Sequence, residues 1–176
     1  METISLRLPL NHEDKKLLKA GEKVLLSGTV YTARDAAHKK IVEALANGAP
    51  LPFELQGSTI FYTGPTPAQA DGLPGSAGPT TSSRMDAYTL PLLKNGVSAF
   101  IGKGARSDVV NKALLEHGVI YFAGIGGAGA LLANAISSMK LIAYPELGPE
   151  AVYKFEIADL PVYVALDLNG GNIYGR

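Results

Sequence analysis

The stretch from Lys23 to Gly48 limits what this chain can fold into more than any other. Lys23-Val24-Leu25-Leu26-Ser27-Gly28-Thr29-Val30-Tyr31 is a strand by its β-branched and aromatic content. It passes without a break into Thr32-Ala33-Arg34-Asp35, a [ST]-x-x-[DE] sequence that predicts a helix start. The helix predicted from Arg34 to Ala46 carries Ala37, Ile41, Ala44 and Leu45 on one stripe and stops at Asn47-Gly48. Arg34 and His38 stand four apart beside the positive end of the helix dipole. An arginine in a first turn opposes that dipole. Either it is a solvated surface cation, or it is there for an anion.

A second strand-to-helix junction repeats the chemistry. Gly57-Ser58-Thr59-Ile60-Phe61-Tyr62-Thr63 is a strand, and a run dense in Gly, Pro and Ala follows as far as Pro79. The run is less polar than a linker and lies between two strong elements, which marks a functional loop. It leads into Gly78-Pro79-Thr80-Thr81-Ser82-Ser83-Arg84-Met85-Asp86. The hydroxyls offer N-caps for a helix predicted from Thr80 to Leu93, interrupted at Pro91. A turn starting near Thr80 sets Arg84 on the same face. Hydroxyls, free amides and a guanidinium then converge on a point that suits a carboxylate. The plainer reading is a capped helix start with a solvated arginine.

Ile4 to Leu10 alternates as a strand stopped by its proline, Pro9, and residues 11–21 form a short surface helix or turn. Val97-Ser98-Ala99-Phe100-Ile101 is a buried strand ending in Gly102-Lys103-Gly104-Ala105-Arg106. The two glycines let the backbone approach a ligand beside the ammonium, but the Walker spacing is absent. A helix from Val109 to Glu116 ends at His117-Gly118, where the histidine suits a C-terminal dipole. The strand Val119 to Ala123 precedes Gly124-Ile125-Gly126-Gly127-Ala128-Gly129 and a helix predicted to reach Ser138. That matches G-x-G-x-x-G, yet it comes late, with too little chain after it for two mononucleotide halves. Strands are predicted at Lys140 to Tyr144, Val152 to Ile157 and Pro161 to Asp167, and Asn169-Gly170 is a turn.

The 176 residues predict one domain, 1–176, with a sizeable core. Zero formal net charge excludes a general nucleic-acid or anionic-membrane footprint, and no apolar run approaches the roughly 20 residues of a membrane span. Met1-Glu2-Thr3-Ile4-Ser5-Leu6 lacks the basic start and apolar core of a secretory signal, so a cytoplasmic location is the expectation. With no cysteine, the chain supplies no disulfide, thiol nucleophile or cysteine-held metal. His12, His38 and His117 are scattered without ligand spacing. Any metal-dependent chemistry here would borrow its metal.

Together these stretches resemble the β subunit, or C-terminal domain, of the iron–sulfur hydro-lyases, class I fumarase and L-tartrate dehydratase. The resemblance lies in Ser27 to His38, Phe61-Tyr62-Thr63-Gly64-Pro65-Thr66-Pro67, Gly78 to Asp86, Ile101-Gly102-Lys103-Gly104 and Gly124 to Gly129. It spans nearly the whole chain in the expected order. It implies an α/β fold, a swivelling β/β/α domain with a mixed sheet and flanking helices. It also implies a separate cysteine-bearing α subunit in an α2β2 assembly, which holds a [4Fe–4S] cluster through three cysteines. This chain would then carry no metal or cofactor ligand itself. The implied reaction is reversible hydration of fumarate to L-malate. Arg34, Arg84 and Lys103 would clamp the dicarboxylate, His38 would be a further contact, Ser82 would assist binding, and Thr80 would transfer the proton. Two alternatives stay open: tartrate as substrate, and a stand-alone nucleotide or small-ligand module built on the Gly124–Gly129 loop.

Overall fold

Parallel pairing carries the chain across five strands in sequence order. The computed structural model describes residues 2–124 and 128–175. β1 (Ile4–Arg7) pairs with the first half of β2 (Lys23–Thr32), and β3 (Thr59–Phe61) pairs with the last two residues of β2. β4 (Ala99–Gly102) follows on β3, and β5 (Ile120–Ala123) on β4. β7 (Val152–Leu166) then runs antiparallel to both β2 and β5. Those pairings close β2, β3, β4, β5 and β7 into a ring. β6 (Ile136–Ala143) lies antiparallel along the first half of β7, outside the ring. This is a mixed sheet, as expected, but one that closes on itself.

Every residue of β3, β4 and β5 is buried, as parallel strands covered on both faces must be. One apolar cluster draws on all the ring strands, with Val30, Phe61, Ile101, Phe122, Phe155 and Val164 among its members. The other joins Ile60, Tyr62, Phe100 and Tyr121 to the inner faces of three helices. These are α2 (Asp35–Asn47), α3 (Asp86–Lys94) and α4 (Asp108–Glu116), which flank the sheet on that side. The shorter α1 (His12–Leu17) is fastened by Lys15, whose ammonium donates to the Ser98 and Gly118 carbonyls at 3.0 Å each. Burial lowers the pKa of that lysine.

Local chemistry explains where the chain departs from expectation. α2 ends at Gly48 in the left-handed conformation, as predicted, but Thr32 does not cap its start. Tertiary contacts claim the Thr32 hydroxyl instead: it accepts from the Tyr153 amide at 3.0 Å. Arg34 occupies the N-cap position with no side-chain bond. The helix expected from Thr80 begins later. Thr81 bridges to Lys103, residues Ser82–Met85 form a 3-10 turn, and α3 then runs unbroken through Pro91 with Thr89, Leu92 and Leu93 buried. The helix expected to reach Ser138 is the short α5 (Gly129–Ala133), because β7 recruits Ile136 onward as β6. The two strands expected at 152–157 and 161–167 are one, β7, with Asp159 at φ 54 absorbing the irregularity inside it.

Candidate active site

The parallel strands β2 to β5 all end on one side, the side on which parallel α/β sheets and barrels place ligands. β3 and β4 stay paired as far as the Tyr62 amide, which donates to the Ile101 carbonyl at 2.8 Å. Beyond that point the chain after each strand diverges, and residues 80–82 fill the gap. The Thr80 amide donates to the Tyr62 carbonyl at 2.7 Å on one flank. On the other, the Lys103 amide donates to the Thr80 carbonyl at 3.3 Å and the Ser82 amide to the Lys103 carbonyl at 2.9 Å. The loop of residues 64–79 holds the insertion in place. Thr63 Oγ1 donates to the Gly78 carbonyl at 2.8 Å, and the Ala77 amide to the Gly129 carbonyl at 3.1 Å. Gly64 lies flush against the arginine beside it: a Cβ there would stand 3.1 Å from Arg34 Cδ.

This insertion brings both junctions together. Arg84, at the end of the 3-10 turn, forms an ion pair with Asp35 in the first turn of α2. Arg34 is next to that aspartate, half-buried, and its Nε has no hydrogen-bond partner among the described residues. Thr80 and Lys103 are half-buried neighbours through their backbone bond, whereas Arg84 is exposed. Arg34, Thr80, Arg84 and Lys103 thus stand at one rim of the sheet, where Asp35 pairs with Arg84. Such a rim attracts an anion with more than one negative charge.

Two of the expected residues point elsewhere. His38 is fully buried, its ring 5.3 Å from that of Tyr62 and 6.0 Å from that of Tyr88. Burial lowers its pKa to about 4, so the ring is neutral at neutral pH. Its Nδ1 lies 2.8 Å from the Arg34 carbonyl. A carbonyl only accepts, so the proton sits on Nδ1, and His38 anchors the backbone of Arg34 from beneath. Ser82 is also fully buried. The Tyr121 hydroxyl lies 2.7 Å from both Ser82 Oγ and the Gly104 carbonyl. Tyr121 has one proton, which goes to the carbonyl, and its oxygen takes the Ser82 proton. Ser82 therefore supports the insertion rather than facing a ligand directly.

The support beneath the rim contains residues that sequence reasoning missed. The Arg106 side chain is fully buried, its guanidinium 5.2 Å from the Tyr62 ring, 5.3 Å from Tyr121 and 5.7 Å from Phe100. Its Nε donates to Asp86 at 2.7 Å and its Nη2 to Thr89 at 2.9 Å. Asp86 also accepts from the Ser107 amide at 2.8 Å, so the start of α3 and the start of α4 are fixed together. No local pattern marks this arrangement, because Asp86 and Arg106 are brought together only by the fold. The glycine-rich loop after β5, residues 124–129, is described only at its two ends. Residues 125–127 lie outside the described residues, α5 is five residues long, and β6 turns antiparallel to β7 instead of continuing a parallel unit.

Comparison with known proteins adds an independent result. The family described as Fumarase C-terminus matches residues 1–176. Fumarate hydratase 2 of Leishmania major is 39% identical, over 98% of this chain and 31% of its own length. The L(+)-tartrate dehydratase subunit beta of Escherichia coli is 28% identical, over 96% of this chain and 85% of its own length. A Methanocaldococcus jannaschii protein provisionally named as the same subunit is 40% identical, over 94% of this chain and 88% of its own length. The chain spans about a third of the fumarate hydratases that it matches.

Proposed function

This chain belongs to the Fumarase C-terminus family, and on that premise we propose that it is the β-type half of a hydro-lyase that hydrates fumarate to L-malate reversibly. One observation carries the reading: Arg34, Arg84, Lys103 and Thr80, drawn from three separate stretches, share the rim at the carboxyl ends of β2 to β4. A fumarate dianion presents a carboxylate at each end of a rigid double bond. The guanidinium forks of Arg34 and Arg84 suit bidentate binding of such groups, and Lys103 adds a point charge. Hydration places a proton on one carbon and hydroxyl on the other. Thr80 is the candidate to give or take that proton at the carbon next to a carboxylate. Its ordinary pKa is too high for a base, so the surrounding cations have to stabilise its alkoxide. His38 and Ser82 enter as positioning residues for Arg34 and the 80–82 insertion.

The family resemblance implies a [4Fe–4S] cluster, and the residues of this chain do not fit one. There is no cysteine, and among the described residues no group of three His, Asp or Glu stands together as a metal site. We assign the cluster to a cysteine-bearing α subunit, as part of an α2β2 assembly in which this domain swivels to close over substrate. Tartrate is the second reading, favoured by the match over most of the length of the tartrate dehydratase subunits.

The test is coexpression with an α-type subunit, anaerobic cluster reconstitution, and assay of fumarate hydration beside tartrate dehydration. Activity that needs both chains supports the half-site, and the faster substrate identifies the enzyme. Failure on both substrates, with a nucleotide retained by this chain alone, refutes the reading.

A further inference from the structure

Lys103 has two flanks, and residues 80–82 occupy only one. Its own amide and carbonyl face residues 80–82. The neighbouring peptide groups of Gly102 and Gly104 meet different partners. The Gly102 carbonyl accepts from the Gly124 amide at 2.8 Å, and the Gly104 amide donates to the Tyr174 hydroxyl at 3.1 Å. Tyr174 comes from the segment after β7, more than sixty residues along the chain, and none of the motifs read from the sequence includes it.

That segment is built to hold the ring still. The buried Asp167 carboxylate accepts from the amides of Ala20, Asn169 and Gly171, each at 2.8 Å. The Ile173 amide donates to the Ala165 carbonyl at 3.0 Å, and the Tyr174 amide to Asn172 Oδ1 at 2.9 Å. On this fixed base the Tyr174 side chain stays 39% exposed. Its oxygen accepts the Gly104 proton, while its own proton has no acceptor among the described residues. Tyr121 makes the contrast. It holds the other end of the Gly104 residue, is fully buried, and gives its proton to the carbonyl. Two tyrosines thus grip Gly104, whose φ of +81° suits glycine, and only Tyr174 keeps a donor at the surface.

We infer that Tyr174 is a substrate-binding residue, donating its hydroxyl proton to a carboxylate oxygen of the dicarboxylate on the flank of Lys103 opposite Thr80 and Arg84. The inference rests on the carboxylate reading of the rim and adds a neutral donor to it.

The test uses the complex of this chain with its α subunit and titrates it calorimetrically with succinate, an unreactive dicarboxylate. A lost hydrogen bond to a charged acceptor predicts that Tyr174→Phe binds succinate about tenfold to a hundredfold more weakly, while the lost Gly104 bond lowers the melting temperature by no more than a few degrees. Equal affinity in wild type and variant overturns the role of Tyr174 while leaving the carboxylate site standing. A Lys103→Gln background separates contact from positioning. A further loss on adding Tyr174→Phe there supports direct contact. No further loss means that Tyr174 acts only through Lys103, which overturns the inference. A wild-type complex that binds no succinate refutes the carboxylate reading and this inference together.

Discussion

Acid should weaken this protein through His38, and the effect can be isolated. The ring is enclosed by α2 and by the rings of Tyr62 and Tyr88, with one nitrogen committed to the Arg34 carbonyl. Its Nε2 is buried and has no partner among the described residues. A second proton would create a cation in that enclosed space. Burial opposes it most, the bond to the Arg34 carbonyl partly offsets burial, and Arg106 repels while Asp35 attracts. The folded pKa is about 4, against 6.5 for an ordinary histidine. The unfolded chain therefore takes up a proton between those values that the folded chain refuses. Stability from this group is fully present above pH 6.5 and is lost as pH falls towards 4. Converted at about 1.4 kcal/mol per tenfold, the whole effect is about 3 kcal/mol. The assay is urea unfolding at pH 7.5, 6.5, 5.5 and 4.5 for the wild type and His38→Phe. Carboxylates common to both chains cancel in the difference, and any fixed packing change shifts it by a constant. The wild type should lose its advantage steadily below pH 6.5. A difference that stays flat from pH 6.5 to 4.5 refutes the buried neutral ring.

Three other substitutions test the support and the rim separately. Asp86→Ala leaves the fully buried Arg106 guanidinium without its counter-charge, which should cost about 3–5 kcal/mol and lower the melting temperature by roughly 10 °C; a shift within two degrees would contradict the pairing. Gly102→Ala drives a methyl into Ser82 Oγ and to 2.8 Å from the Tyr62 ring, so it should lose about 1–3 kcal/mol in urea unfolding and displace the 80–82 insertion. Wild-type stability and turnover together would disprove that close approach. Arg84→Ala should lower fumarate turnover in the complex at least about a hundredfold. Its half-exposed pair with Asp35 is worth only about 0–1 kcal/mol, so melting should scarcely move. Normal turnover would remove Arg84 from the site.

How much of this was legible in the sequence depends on the distance over which each signal acts. The stop at Asn47-Gly48 is local, since a left-handed residue after a helix needs only its own glycine, and it was read correctly. The strands β2 to β5 were legible for the same reason, although their boundaries moved by a few residues. The Thr32 pattern failed because its hydroxyl found Tyr153, a partner 121 residues away. Residues 136–138 look helical in isolation, yet backbone bonds to β7 outweigh that preference. At the rim, Arg34, Thr80, Arg84 and Lys103 stand out because cations beside glycines and hydroxyls have local signatures. Ser82 and His38 belong to the same motifs but turn inward, and no spacing rule gives the side on which a hydroxyl lies. Arg106 was visible only as the last letter of a glycine loop. Its partners Asp86, Tyr62 and Tyr121 are gathered by the fold alone.

The closure of the ring by β7 sets an order on synthesis. β7 follows every other strand, yet it supplies the antiparallel neighbour of β2, β5 and β6 alike. A nascent chain completes β2 at Thr32 and must then be extended to Tyr163 before the far edge of β2 is covered. At 5–20 residues per second, that edge is exposed for on the order of ten seconds. It offers unpaired amides and carbonyls along Val24, Leu26 and Val30, side chains that are fully buried in the finished fold. Until β7 arrives, that edge is open to pairing with another chain, and only the last strand made removes it.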